Sequence, residues 1–345
     1  MKIAILTGGG DCPGLNAVIR AVVRMCEANG DTCLGFRNGW RGVVDGTYRN
    51  LTRKEVSGIL HQGGTILGTS RTNLRAVNNG YQRAIEMLTA VEVDALIAVG
   101  GEDTQGVALG LIEAGFPNVV GCPKTIDNDL YGTDYTFGFD TAVHIATEAL
   151  DRLHTTAEAH QRVIILEVMG RHAGWIALHS GLAGGADVIM IPEVAMSMAE
   201  VCSWVKRRQD IHNKHFSLIV VAEGARIKDI GAKEVADSEK LDAFGHVKLG
   251  GVGQYVADQI EERLGVDCRC AVLGHIQRGG TPTARDRYLG LQFGSAAYEA
   301  AKNKQFGIMV GLRGTEIVPV PLAEVASKLK TVPEELYRKA AVFFG

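Results

Sequence analysis

Six consecutive residues after a short apolar run have the side chains needed for acid–base chemistry. The run Asn118-Val119-Val120 predicts the end of a buried strand, and residues 124–129 then supply Lys, Thr, Ile, Asp, Asn and Asp. If the chain stays extended, Thr125, Asp127 and Asp129 lie on one side of it. Two carboxylates this close repel each other, so a nearby cation or metal is expected and one of them could act as a base. The competing interpretation is a strand end whose Asp and Asn side chains bond turn amides.

A glycine-rich turn near the start of the chain is suited to an anion. Lys2 to Thr7 predicts a buried parallel strand, and residues 8–16 (GGGDCPGLN) lead from it into a helix. Backbone N–H groups and the helix dipole favour negative charge at such a turn. Neither standard phosphate motif fits, because Pro13 stands where the dinucleotide fingerprint needs glycine and 15–16 is not Lys-Ser/Thr. A tight turn without a ligand is the alternative.

Two acidic residues open another turn of the same kind. Val93 to Val99 predicts a buried strand, Gly100-Gly101-Glu102-Asp103-Thr104 follows, and a helix runs to about Ala114. Glu102 and Asp103 could hold a divalent cation against phosphate oxygens, or could simply complement the helix dipole. Three strand–turn–helix units of this type indicate a doubly wound sheet with its ligand at the strand carboxyl ends.

The second half of the chain repeats the α/β alternation and adds cations at strand ends. Helices are predicted at about 140–159, 197–212, 251–264 and 283–302, an exposed insertion at 228–249, and a hairpin near 308–319. The basic residues at strand ends are Arg71, Arg162, Arg171, Arg269, His275 and Arg278. Any one of them could be a surface charge, but the set predicts a pocket for a doubly anionic, phosphorylated polyol.

Bulk composition narrows the class of protein. A chain of 345 residues is too long for one typical core, so two lobes are expected. The net charge of −3 gives no basis for binding nucleic acid or an anionic membrane. No apolar run reaches membrane-spanning length, and Met1-Lys2 leads directly into a strand, so no signal peptide is expected. The odd number of cysteines, 7, predicts reduced thiols and a cytoplasmic location.

Taken in order, these motifs resemble those of the 6-phosphofructokinase family. The resemblance is carried by Gly9 to Asn16, Gly100 to Thr104, Pro123 to Asp129, Val168 to Arg171, and Gly274 to Gly280. It implies two Rossmann-like three-layer α/β/α lobes with the active site in the cleft between them. The donor-binding lobe would comprise 1–138 plus about 277–303. The fructose-6-phosphate-binding lobe would comprise 139–276 plus about 304–345.

The resemblance also implies roles for individual residues. Asp127 would be the base that takes the proton from the sugar C1 hydroxyl, with Thr125 and Asp129 in support, and Arg171 would stabilise the transferring phosphoryl group. The residues implied to hold fructose 6-phosphate are Thr125, Asp127, Met169, Gly170, Arg171, Glu223, His275 and Arg278, with Arg162 and Arg269 reaching into a neighbouring subunit's site. A homodimer or homotetramer with shared active sites is therefore implied. The residues implied to hold the donor are Gly10, Arg71, Asp103, Thr104 and Lys124, with Glu102 at Mg²⁺.

Two departures from the ATP-using pattern indicate the donor. ATP-dependent members have Gly-Gly-Asp-Gly and Pro-Gly-Thr-Ile-Asp-Asn-Asp. This chain has Gly-Gly-Glu-Asp at the first motif, and in the second motif Lys124 replaces the glycine that follows proline. Asp103 adds bulk and negative charge where the α-phosphate of ATP would lie, and Lys124 adds an ammonium that compensates bare pyrophosphate. The pair predicts pyrophosphate as donor and a readily reversible reaction. Glu102 replaces the usual magnesium-binding Asp and can still ligate Mg²⁺.

Three other functions remain open at this point. The chain could be an ATP-dependent phosphofructokinase with an unusual donor pocket, or a pyrophosphate-dependent kinase of another sugar phosphate such as sedoheptulose 7-phosphate. It could also be a non-catalytic phosphosugar-binding protein of periplasmic type, against which Asp127 and the expected lack of a signal peptide both count.

Overall fold

Two compact α/β units make up the protein. The computed structural model describes residues 1–212, 214–230, 236–241 and 247–345. The first unit comprises Met1–Ile126, Leu130–Thr141 and Arg278–Leu329. The second comprises Asp127–Asp129, the described part of Ala142–Gln277, and Lys330–Gly345. The α/β fold class predicted from the sequence is confirmed.

The elements follow one another in a largely alternating order. The strands are β1 (Lys2–Thr7), β2 (Thr32–Phe36), β3 (Tyr48–Leu51), β4 (Ala95–Gly100), β5 (Val119–Thr125), β6 (Phe137–Gly138), β7 (Val163–Val168), β8 (Val188–Met190), β9 (Ser217–Ala222), β10 (Ala236–Leu241), β11 (Val247–Leu249), β12 (Cys268–Val272), β13 (Ile308–Arg313) and β14 (Glu316–Pro321). The helices are α1 (Leu15–Ala28), α2 (Trp40–Asp45), α3 (Gly80–Ala90), α4 (Glu102–Glu113), α5 (Phe139–His160), α6 (Trp175–Ala183), α7 (Met198–His212), α8 (Val252–Leu264), α9 (Ala284–Lys302), α10 (Leu322–Val325) and α11 (Glu334–Ala340).

The first unit is built on one mixed sheet with the order β14-β13-β5-β4-β1-β2-β3, and β6 pairs with β5. β1, β4 and β5 are parallel neighbours in the middle of the sheet. Every residue of β4 and β5 is buried. β4 is accordingly a continuous apolar run, whereas β5 is apolar at its start and also buries Lys124 and Thr125 at its carboxyl end. The carboxyl ends of parallel neighbours meet at one edge, so the three predicted turns are brought together there.

Helices α1 and α9 pack closely because α9 presents glycines to α1. A Cβ on Gly290 would lie 3.0 Å from the Cβ of Ala17, and one on Gly294 would lie 2.7 Å from the Cβ of Ala21. α1 begins directly after the glycine-rich turn that follows β1. The contact therefore fixes the start of α1 against the sheet.

The second unit has an all-parallel sheet with the order β12-β7-β9-β8. Its core includes Val163 and Ile165 of β7, Val221 of β9 and Val256 of α8. β10 and β11 form a separate antiparallel pair. The predicted exposed insertion at 228–249 falls largely on residues whose side chains, or whose structure, lie outside the described part.

The carboxyl-terminal segment differs from the sequence expectation. The family resemblance places about 304–345 in the second lobe, but β13 pairs in parallel with β5, with Ile308 opposite Val120 and Met309 opposite Gly121. The hairpin of β13 and β14 therefore extends the first sheet, and only Lys330–Gly345 belongs to the second unit. The predicted hairpin itself is confirmed, and its place in the sheet is set by a contact with a strand far away in sequence.

Within the described ranges, no helix is both long enough and apolar enough to cross a bilayer. All seven cysteines are free thiols, as their odd number predicted.

A buried carboxylate links the start of α9 to the start of α5. One oxygen of Asp286 accepts hydrogen bonds from the Thr141 N–H at 2.8 Å and the Thr141 hydroxyl at 2.5 Å. Burial raises the pKa of Asp286 from 3.8 to about 6, and the bonds from Thr141 only partly offset that rise. Ionisation therefore destabilises the folded state. The stability that the neutral acid supplies is complete below pH 4 and is lost as pH rises through 6.

Asp286→Asn is expected to cost less stability at pH 8 than at pH 4. The rise in the pKa of Asp286 from 3.8 to about 6 corresponds to about 3 kcal/mol of unfolding free energy. Wild type loses this stability between pH 4 and pH 8, and the asparagine variant does not because its side chain stays neutral. Urea unfolding of both proteins at the two pH values measures the change as a difference, so that other titrating groups cancel. A difference in unfolding free energy that is the same at pH 4 and pH 8 would contradict the assignment.

Candidate active site

The turns that follow β1 and β4 in the first unit meet at Thr104. A Cβ on Gly8, after β1, would lie 2.7 Å from the Thr104 hydroxyl oxygen, and one on Gly100 would lie 2.3 Å from it. Thr104 is buried in the first turn of α4. Glycine is therefore needed at both positions for the turns to approach. The N–H groups of Gly8 and Gly9 already donate to the carbonyl oxygens of Val99 and Ser70, at 2.9 and 3.1 Å.

Lys124 places an ammonium group in the first of these turns. Its side chain is 3% exposed and its Nζ donates a hydrogen bond to the Gly10 carbonyl at 2.5 Å. A Cβ on Gly9 would lie 3.3 Å from the same Nζ. The cation that stood beside the acidic stretch in the sequence thus lies in the glycine-rich anion turn, where a buried positive charge attracts an anionic ligand.

Gln105 braces the same edge of the sheet and was not assigned a role from the sequence. Its buried amide nitrogen donates to the carbonyl oxygens of Ala98, Gly100 and Cys122 at 3.2, 3.1 and 3.1 Å. These contacts join β4 to β5 next to Lys124. A glutamine after two acids gives no sequence signal for such a role, because the role depends on strand neighbours.

The arginines predicted at this edge occupy different surroundings. Arg278 belongs to the first unit, where its Nη1 donates to the Asp11 carbonyl at 3.3 Å, and a Cβ on Gly10 would lie 2.6 Å from Nη1. The Nε of Arg278 is buried and has no hydrogen-bond partner in the described part of the chain. Arg71 is exposed and follows Thr69 and Ser70, which both bond Gly9. Arg278, predicted to hold the sugar phosphate, therefore lies against the donor turn.

The acidic stretch does not stay extended, so the expected alternation of Thr125, Asp127 and Asp129 is wrong. β5 ends at Thr125, and Asn128 adopts the left-handed conformation with φ of 53°. Asp127 is 5% exposed and Asn128 3% exposed. Asn tolerates left-handed backbone better than most residues, so its position between the two acids is itself the local signal for a turn.

Lys330 holds this turn and was missed in the sequence. Its ammonium donates to the Asn128 side-chain oxygen at 2.8 Å, and its N–H donates to the Asp129 carbonyl at 2.8 Å. Asn128 and Lys330 are 202 positions apart in the sequence, and Lys330 belongs to none of the motifs described above. Only the folded chain shows the contact.

The second unit gathers four predicted residues at the carboxyl ends of β7 and β9. The Met169 N–H donates to Gln277 Oε1 at 2.7 Å, and the Arg171 N–H donates to Glu223 Oε1 at 3.2 Å. Gly170, with φ of 141°, lies between Met169 and Arg171. The backbone of this turn is thus fixed by side-chain acceptors, as a substrate-binding turn requires.

The remaining predicted residues lie elsewhere in the second unit. Arg162 precedes β7 and forms an ion pair with Asp267, which also pairs with Arg269. The six residues of β7 separate Arg162 from Met169, about 20 Å of extended chain. His275 is exposed in the 3₁₀ turn Gly274–Arg278. Arg162 and Arg269 are therefore not brought together with Arg171.

The oxygen donors at the start of α4 fit Mg²⁺. Glu102 is exposed at the first position of the helix and Asp103 is half-buried beside it. Across the described residues, no group of three or more His, Cys, Asp and Glu side chains is arranged to hold a metal. Mg²⁺ keeps several waters and uses one or two carboxylates together with substrate phosphates, so one or two acids beside an anion turn are suitable.

Thiol chemistry is disfavoured at this edge. Burial raises the pKa of the Cys12 thiol far above its ordinary value, although Lys124 nearby acts in the opposite direction. Burial raises the pKa of Cys122 in the same way. Both thiols stay protonated near neutral pH and are poor nucleophiles.

Comparison with known proteins identifies the family that this chain resembles in sequence. The family model described as Phosphofructokinase matches residues 2–301. A pyrophosphate–fructose 6-phosphate 1-phosphotransferase of Amycolatopsis methanolica is 59% identical over 346 residues, covering 100% of both chains. ATP-dependent 6-phosphofructokinase 2 of Streptomyces coelicolor is 50% identical over 345 residues, again covering 100% of both.

A solved structure supports the same family. The T-state phosphofructokinase of Pichia pastoris superposes with a TM-score of 0.83 at 31% identity over 94% of this chain. This chain spans 35% of that protein's length. The ordered motifs, the two α/β units and these matches lead to one conclusion: the chain belongs to the phosphofructokinase family.

Proposed function

We propose that the protein transfers a phosphoryl group from pyrophosphate to the C1 hydroxyl of fructose 6-phosphate, giving fructose 1,6-bisphosphate and phosphate in a reversible reaction. The observation that carries the choice of donor is the buried Lys124 ammonium bonded to the Gly10 carbonyl. Family membership alone cannot choose the donor, because relatives named for pyrophosphate and for ATP are both at least 50% identical to this chain.

Charge and bulk at the donor turns support pyrophosphate. Pyrophosphate is small and highly charged, and it offers no base or ribose to bind, so affinity must come from cations and N–H groups. Lys124 supplies such a cation at Gly10. Asp103 is half-buried in the first turn of α4, where its carboxylate would repel a third phosphate and its side chain would occupy space.

The residues then take the following roles. Asp127 accepts the proton of the C1 hydroxyl as the C1 oxygen bonds to one phosphorus of pyrophosphate, and the bond from that phosphorus to the bridging oxygen breaks to release phosphate. Arg171 stabilises the charge on the transferring group, while Thr125 and Asp129 support the base. Bound Mg²⁺ would neutralise charge on the donor oxygens, with Glu102 as its ligand. Catalysis of this kind rests on positioning and electrostatics.

The sugar phosphate is assigned to residues of the second unit, with Arg278 of the first unit as a further proposed ligand. Met169, Gly170, Arg171 and Glu223 surround the turn after β7, and His275 and Arg278 complete the set. Arg162 and Arg269 lie at the opposite end of β7 and β12, which supports a role in a neighbouring subunit of a homo-oligomer.

If active sites are shared between subunits, mixing inactive Asp127→Asn and Arg162→Ala chains restores activity that neither has alone. Absence of restoration in verified mixed oligomers would contradict sharing.

Turnover is expected to require Mg²⁺ and to weaken when Glu102 is changed. Glu102→Gln removes the charge of the proposed ligand, so the Mg²⁺ concentration for half-maximal rate should rise about tenfold. Glu113→Gln, at the exposed other end of α4, is the matched control and should leave it unchanged. An equal Mg²⁺ requirement in both variants would remove Glu102 from the metal site.

Phosphorus NMR of one reaction mixture tests the function. Fructose 6-phosphate, pyrophosphate and Mg²⁺ should yield fructose 1,6-bisphosphate and phosphate, and the reverse mixture should yield pyrophosphate. A parallel mixture with sedoheptulose 7-phosphate tests the acceptor. No product with either sugar would refute the function, and a faster reaction with sedoheptulose 7-phosphate would change the assigned acceptor.

A further inference from the structure

Lys330 makes two contacts to the residues that directly follow the proposed base. Its ammonium bonds the Asn128 side chain and its N–H bonds the Asp129 carbonyl, each at 2.8 Å. Asn128 is 3% exposed and has a left-handed backbone with φ of 53°. Asn adopts that conformation more readily than other non-glycine residues, and its surroundings hold it there. Lys330 supplies part of that hold.

Lys330 is itself fixed by the start of α6. The Trp175 indole N–H donates to the Lys330 carbonyl at 3.0 Å, and the Lys330 ammonium lies 5.5 Å from the centre of the Trp175 ring. A cation over an indole face is attracted by the ring quadrupole. The lysine therefore has little freedom at either its backbone or its charged end.

One carboxylate ties the next residues of the tail to the turn that carries Arg171. Glu193 Oε1 accepts from the Val332 N–H at 2.7 Å and from the Gly174 N–H at 3.0 Å. Gly174 stands three residues after Arg171 and directly before α6. The tail from Lys330 to Val332 thus bonds both the acidic turn and the start of α6, all within the second unit.

We propose that Lys330 is a positioning residue for the reaction: by holding Asn128 and Asp129 it fixes the orientation of Asp127. The proposal rests on the proposed function of Asp127 as base. By this proposal the carboxyl-terminal segment that contains Lys330 contributes to catalysis by holding the turn at Asn128. Lys330 acts through Asn128 and is not assigned a contact with either substrate.

Lys330→Met keeps the side-chain stem and removes the ammonium. We expect kcat to fall about tenfold or more, because a charge-assisted hydrogen bond is lost, while KM for both substrates changes less than about threefold. Lys330→Arg should restore at least about a third of kcat. The matched control is Lys328→Met, which removes an exposed lysine that lies 4.6 Å over the Tyr131 ring and should leave both constants unchanged.

Thermal unfolding of each variant separates positioning from folding. A lower melting temperature with unchanged kcat per folded enzyme would show a structural role only and overturn the proposal. A raised KM with unchanged kcat would make Lys330 a binding residue and also overturn it. If Lys330→Met does not fold, the cycle below is run with Lys330→Arg alone, and an effect of Lys330→Arg on kcat that is as large with Asn128→Gly as without it would overturn the proposal.

A double-mutant cycle tests whether the effect passes through Asn128. Asn128→Gly removes the side-chain acceptor and suits the positive φ. In this background Lys330→Met or Lys330→Arg should change kcat less than about twofold, since the contact is already gone. Additive losses would overturn the route through Asn128. All rates are taken with the donor that wild type uses best, so a failure of pyrophosphate as donor appears in wild type and is not confused with a failure of Lys330.

Discussion

Replacement of Asp127 by asparagine is expected to lower kcat about a thousandfold. Asparagine has nearly the same shape but cannot accept the proton of the C1 hydroxyl, and a positioned base contributes roughly 10²–10⁴ in rate. Asp127 is 5% exposed, so water cannot readily replace it. Initial rates with saturating substrates, and KM values from the residual rate, measure the effect.

Asp151→Asn is the control, because Asp151 is an exposed acid on α5. It should leave kcat unchanged. Unfolding temperatures of both variants show whether each is folded. If Asp127→Asn keeps more than about a tenth of the wild-type kcat, a general base would have to be sought elsewhere.

Changing Asp103 and Lys124 together to glycine is expected to reverse the donor preference. The ratio of kcat/KM for ATP to that for pyrophosphate should rise at least about a hundredfold, because one change removes repulsion of a third phosphate and the other removes the cation that binds pyrophosphate. Each single variant should move the ratio part of the way. Coupled assays with the two donors, at fixed fructose 6-phosphate and Mg²⁺, give the ratio.

Asp103→Asn distinguishes charge from bulk at this position. If repulsion dominates, it moves the ratio nearly as far as Asp103→Gly; if bulk dominates, it moves it little. Lys124 is buried and bonds the Gly10 carbonyl, so loss of stability in Lys124→Gly must be measured separately. An unchanged donor ratio in the folded double variant would contradict the selectivity assigned to both residues.

The parts of the site that could be predicted from the sequence are those that depend on a local pattern of residues. Continuous apolar runs identified β1, β4 and β5, and the polar residues after each run had to lie at their carboxyl ends. Because parallel neighbours end at the same edge, the approach of the turns after β1 and β4 could be anticipated as a class of arrangement. The side-chain contact between Lys124 and Gly10 could not, since it depends on strand order and rotamer.

The parts that were missed depend on contacts between distant residues. The bond from Lys330 to Asn128 joins positions 202 apart, and the place of β13 beside β5 depends on pairing that no local pattern encodes. The extended conformation expected at 127–129 is wrong because Asn128 takes a left-handed turn; Asn at this position was a local signal for the turn, and alternation of polar residues outweighed it in the prediction. Tertiary contacts override strand propensity at such a position.

The most direct test of the donor assignment is one assay of the wild-type protein with fructose 6-phosphate and Mg²⁺. Pyrophosphate and ATP are compared at equal purity, with each preparation freed of the other. The buried ammonium at Gly10 and the acid at 103 predict a kcat/KM for pyrophosphate at least about a hundredfold above that for ATP. A higher kcat/KM for ATP would contradict pyrophosphate as the donor.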